Sequence, residues 1–147
     1  MRERPAPISI GIAIEASRGC RLPPVRDWVV RPLPMPYVEV AQRFGDLIAK
    51  EDYSTAHTLL TREAQRVHSP DDFRAAVIGM TTYAPGPIQR VIVMEDFILE
   101  EWPKKQNGDV AIVYTSLEGD GFCEAVTVTI VKDGGDFRIR HLEWGRP

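Results

Sequence analysis

The chain is poor in the signatures that announce a chemistry. It has no CxxC pair and no His/Cys cluster at metal-ligand spacing, so a structural metal site is not expected. It has no GxSxG, no HExxH and no glycine loop that could cradle a phosphate. Its three histidines, His57, His68 and His141, are scattered without companion spacing. No cofactor is implied. No apolar run is long enough to span a bilayer. The short apolar stretch at residues 8–14 contains Gly11, runs into Glu15 and lacks a small-residue cleavage site, so it does not read as a signal peptide. A net charge of −3 without a clustered basic face speaks against nucleic acid. The two cysteines, Cys20 and Cys123, lie in different regions and read as free thiols rather than a disulfide framework. These absences point to a cytoplasmic chain that touches neither membrane nor nucleic acid.

What is present is an order of parts. With 147 residues, 44% of them hydrophobic, the chain can bury one core unaided. Residues 88–144 read as four strands separated by glycine-bearing turns: Asn107-Gly108, Glu118-Gly119-Asp120-Gly121 and Asp133-Gly134-Gly135. Helical segments precede this meander. Helices followed by consecutive antiparallel strands predict an α+β domain, one sheet with helices packed on a face.

The helical part is well punctuated. Tyr37, Val40, Ala41, Phe44, Leu47 and Ile48 form one apolar stripe over residues 37–50, with Pro36 in a first-turn position. Asp52 can cap a second helix carrying Tyr53, Ala56, Leu59 and Leu60. A third begins at Ser69-Pro70-Asp71-Asp72-Phe73, where Ser69 and Asp72 form a potential capping box; Pro85-Gly86-Pro87 ends it.

Residues 1–36 form a proline-rich extension. They carry six arginines against three acids, whereas residues 37–147 carry twelve basic against eighteen acidic residues. Ile8, Ile10, Ile12 and Ile14 alternate with smaller residues, the pattern of an edge strand. Pro32, Pro34 and Pro36 then hold the chain extended.

The run from Asp52 through Tyr53, Ala56, Leu59 and Leu60, the capped Ser69-Pro70-Asp71-Asp72-Phe73 turn and the four-stranded meander resemble the NTF2-like superfamily, also called cystatin-like or SnoaL-like. The likeness covers about residues 37–144, giving an extension at 1–36 and an NTF2-like domain at 37–147. It implies a cone, in which N-terminal helices pack into a curved antiparallel four-stranded sheet. The superfamily includes isomerases, dehydratases, epoxide hydrolases, transport factors and immunity proteins, so fold alone does not assign activity.

Enzymes of that kind place an acid or histidine base inside the cone beside a tyrosine or carboxyl donor. The weak catalytic candidates are Glu95 and Asp96, read as mid-strand residues in an apolar strand at 91–99, and His141, which alternation puts on one face with Phe137 and Ile139 unless a bulge intervenes. As structural residues, the same acids would sit at a strand bend or pair with Arg138 or Arg140. Tyr83, Tyr114 and Trp144 are the candidate ligand-binding residues.

Residues 91–99 are apolar at both parities, which predicts a strand covered on both sides. The outer cover is either a second subunit, making a homodimer through the outer sheet face, or the N-terminal arm. Two functional readings follow. One is a non-catalytic domain, akin to the immunity proteins, that binds a small apolar ligand or a basic protein partner. The other is a small isomerase- or dehydratase-type enzyme. A cone plugged by Phe44, Phe73, Phe97 or Trp144 would favour the first.

Overall fold

The structure, a computed structural model, describes residues 35–146. The expected edge strand at residues 8–14, Cys20 and nearly all of the proline-rich extension lie outside the described residues.

Four helices precede four strands. Helix α1 spans Pro36–Ala49, α2 Tyr53–His57, α3 Arg62–Val67 and α4 Pro70–Met80. Strands β1 (Ile88–Val93), β2 (Asp109–Gly119), β3 (Phe122–Asp133) and β4 (Asp136–Trp144) follow. They form one antiparallel sheet in the order β1-β2-β3-β4. The α+β architecture expected from the order of parts is therefore present.

Local signals set the helix ends. Pro36 opens α1, where a missing amide proton costs nothing. The Asp52 carboxylate accepts from the Thr55 amide and starts α2. Ser69 and Asp72 make the reciprocal capping box of α4. Helix α3, capped by Thr61, has no counterpart in the sequence reading, since its six residues are too few for a periodic signal.

The core lies between the helices and one face of the sheet. Tyr37, Ala41, Phe44 and Ile48 of α1 are buried against Val113, Leu117, Val126, Val128 and Ile130. Helix α1 sits close because position 45 is glycine. A Cβ there would lie 2.5 Å from Val91 Cγ1 and 3.2 Å from Thr115 Cγ2. Those contacts fix Val91, Thr115 and Leu117 on the inner face, so Ile92, Tyr114, Ser116 and Glu118 lie on the outer one.

The β3–β4 hairpin closes on Gly134 and Gly135, both at positive φ, as a two-residue turn of this hand requires. The free edge of β4 is occupied by the segment joining α2 to α3: the Ile139 amide donates to the Leu59 carbonyl at 2.9 Å, and the Thr61 amide to that of Ile139 at 2.8 Å.

Three expectations are corrected. Residues 91–99 are not one strand. β1 ends at Val93, a 3-10 turn occupies Glu95–Phe97, and the chain rejoins β2 only at Leu99, which pairs with Ile112. Two adjacent carboxylates cannot both face water in a strand covered on both sides, and the turn releases them to solvent. Asn107-Gly108 accordingly ends a longer connection instead of closing a tight hairpin. Second, a bulge does intervene in β4: Ile130 pairs with Ile139 but Thr129 with His141, leaving Arg140 as the extra residue. Ile139 and Leu142 are thereby both buried and His141 faces outward. Third, Cys123 is disulfide-bonded and not a free thiol.

Candidate functional site

The sequence-derived candidates do not converge. Glu95 and Asp96 sit on the exposed 3-10 turn. His141 is exposed, with Nε2 3.4 Å from a Glu143 carboxylate oxygen. Tyr83 follows α4 at the surface, and its hydroxyl donates to Glu124 Oε2 at 2.7 Å. Partial burial and that carboxylate together push the Tyr83 phenol up from its ordinary value. Tyr114 lies on the outer sheet face, where burial raises its phenol as well. Trp144 points the other way, into the core. Glu95, Asp96 and His141 thus occupy an exposed turn and an exposed strand position, whereas Tyr83 and Tyr114 both lie within electrostatic range of Glu124 and Arg146.

Three aromatic rings pack together beneath the helices. Phe44 and Phe73, both fully buried, meet edge to face with centroids 5.5 Å apart. The Trp144 ring closes the group at 6.2 Å from Phe44 and 5.9 Å from Phe73. His57 and His68 flank Phe73 from the helical side. The His57 Nε2 faces the carbonyls of His68 at 2.7 Å and Gln65 at 3.1 Å, so it carries the proton and serves to tie α2 to the end of α3.

The outer face carries an apolar patch. The Phe97 ring, half exposed, stands edge to face on Tyr114 with centroids 5.8 Å apart. Leu99 pairs with Ile112 beside them and is 48% exposed. Exposed Glu95, Asp96, Glu100 and Glu101 border this patch along the chain. The apolar residues at both parities of 91–99 signal the apolar character, but the exposure of Phe97 follows from the 3-10 turn it belongs to.

Three buried carboxylates, Asp109, Glu118 and Glu124, escaped the sequence reading as site residues, and Arg90 pairs with Glu118. Asp109, placed at a turn by its neighbours, is instead fully buried and held by Arg140. Glu124 shares the parity of Val126 and Val128 on the inner face, a signal legible in β3, and takes the Tyr83 hydroxyl there. Arg146 Nε stands 3.8 Å from its other oxygen. Tyr37 is also unusual: its hydroxyl donates a hydrogen bond to Glu100, which with burial pushes the phenol up to about 12.

Among the described residues, no group of three or more His, Cys, Asp or Glu side chains is arranged to hold a metal ion. No described helix is long and apolar enough to cross a membrane. Comparison with protein-family models, with curated proteins and with solved structures finds no match.

Proposed function

We propose that this chain is a non-catalytic binding domain of the NTF2-like kind, with the Phe97–Leu99–Tyr114 patch as its contact surface. The observation that carries the reading is the cluster of mutually packed aromatic rings, Phe44, Phe73 and Trp144, under the helices. A cone that worked as an active site would keep that volume open, with a carboxylate or imidazole inside it. Here Glu95, Asp96 and His141 all lie in exposed positions. The family reading is supported by the order of elements: a long amphipathic helix, a short second helix capped by Asp52, a boxed helix at Ser69 and an antiparallel meander.

The occupant we assign to the patch is a second copy of the chain. Contiguous exposed aromatic and aliphatic side chains on a sheet face are the usual anchors of such contacts. Light scattering at micromolar concentration should give twice the chain mass, and Phe97→Asp should return the monomer mass without lowering the melting temperature. A monomeric wild-type chain would shift the assignment to a basic partner, for which the bordering acids supply complementary charge. The non-catalytic reading fails on a turnover that Glu95→Gln, Asp96→Asn or His141→Asn abolishes in a folded protein.

A further inference from the structure

The chain contains a single asparagine, Asn107, and the residue after it is Gly108. The two form the middle of a tight turn closed by the Asp109 amide, which donates to the Gln106 carbonyl at 3.0 Å. Gly108 stands at φ +92°, the value that the third position of such a turn reserves for glycine. Asn107 and Gly108 are both exposed. The Gly108 carbonyl accepts from the Lys132 amide at 3.0 Å, but the Gly108 amide donates to nothing among the described residues.

The backbone nitrogen after an asparagine lies within reach of the side-chain carbonyl carbon, where it can close a five-membered ring. A bulky following side chain hinders that approach, a hydrogen bond holds the attacking amide back, and burial keeps water and hydroxide away. Glycine removes the first obstacle, and the exposed turn with its unengaged amide removes the other two.

We propose that Asn107 is a site of spontaneous covalent modification. The Gly108 nitrogen gives its proton to hydroxide and attacks the Asn107 side-chain carbonyl carbon. A new carbon–nitrogen bond forms, the bond to the side-chain nitrogen breaks, and ammonia leaves with a proton taken from water. Water then opens the cyclic imide. Opening at the side-chain carbonyl leaves an ordinary aspartate. Opening at the main-chain carbonyl leaves an isoaspartate, whose backbone runs through the former side chain and is longer by a single carbon. Either product adds negative charge.

The position of the turn gives that change a consequence. The Gln106 amide donates to Asp109 Oδ2 at 2.9 Å, and Arg140 grips the same buried carboxylate from β4. An extra backbone carbon between Gln106 and Asp109 moves the first of these bonds out of register, because Lys132 fixes the Gly108 carbonyl. The new carboxylate also lies two residues from the buried one, and like charges repel. Modification therefore loosens the end of the β1–β2 connection, the segment that carries Phe97 and Leu99. The inference is independent of the binding reading, because the ring closure needs only the turn.

The test incubates the full chain in mildly alkaline buffer at body temperature and maps its peptides by mass. The peptide carrying residues 106–109 should gain about 1 Da and become a substrate for an isoaspartate carboxyl methyltransferase. The rate should rise in proportion to hydroxide, and Asn107→Gln should abolish both signals. Modified chain separated by ion exchange should show hydrogen exchange at the Asp109 amide faster by at least about tenfold. Asn107→Asp, which adds the charge without lengthening the backbone, should quicken that exchange less. A chain that gains no mass while a free peptide of residues 104–109 is converted would overturn the site. A rate indifferent to pH would overturn the ring closure. Unchanged exchange in the isoaspartyl chain would overturn the consequence drawn for the β1–β2 connection.

Discussion

Arg140 grips Asp109 with two parallel hydrogen bonds, Nε to Oδ1 and Nη2 to Oδ2, each 2.8 Å long. The two residues stand 31 positions apart, at the start of β2 and at the bulge of β4. The bulge that turns His141 outward also places the one extra residue, Arg140, beside the carboxylate. Asp109 is fully buried and also accepts the Gln106 amide, so the pair anchors the long β1–β2 connection to the sheet.

That pair sets an acid limit on stability. Burial opposes the charge on Asp109, but the Arg140 and Gln106 hydrogen bonds and the nearby Arg140 and Lys105 charges outweigh it and hold the carboxyl below its ordinary value. A depressed folded value contributes stability above the unfolded value, about 3.9, and loses it as pH falls through the folded one. Asp109→Asn should cost about 3 kcal/mol at neutral pH, leaving Arg140 without its countercharge. It should also flatten the loss of stability below about pH 4, read by urea unfolding across pH. An unchanged acid slope would show that the pair contributes nothing to it.

Thr115 is the converse case. Its hydroxyl is buried on the inner face under α1 and has no hydrogen-bond partner among the described residues. Valine keeps the shape and removes the unmet polar group. Thr115→Val should raise stability by about 1 kcal/mol in chemical denaturation, and a loss of that size would contradict the reading.

Gly45 makes the opposite demand. Any side chain there must displace Val91 or Thr115, and neither is long enough to swing aside. Gly45→Ala should destabilise by about 1–3 kcal/mol despite the better helix propensity of alanine. A melting temperature at or above that of the parent would mean that α1 can lift from the sheet at no cost.

The Ser69–Asp72 box should be worth about 1 kcal/mol. Ser69→Ala removes one of its two bonds, and hydrogen exchange in the first turn of α4 should quicken with it. Exchange unchanged there would show that Pro70 alone holds the helix start.

Much of this fold was readable one residue at a time. The caps at Asp52 and Ser69, the proline opening α1, the apolar stripe through Tyr37, Ala41, Phe44 and Ile48, and the glycine turn at residues 134–135 are local effects, set by neighbours within four positions. Local chemistry of that range is carried by sequence, and it was enough to place the helices before the strands and to give the α+β class. The candidate site was not legible in the same way. Glu95 and Asp96 left the strand because β1 had to leave its ladder at Val93 and rejoin it at Leu99. His141 turned outward because Ile139 and Leu142 both had to be buried, which only a bulge permits. Asp109 entered the core because Arg140 was there to meet it. In each case the deciding partner lies on another strand, and which face a strand residue takes depends on pairing that a one-residue shift reverses.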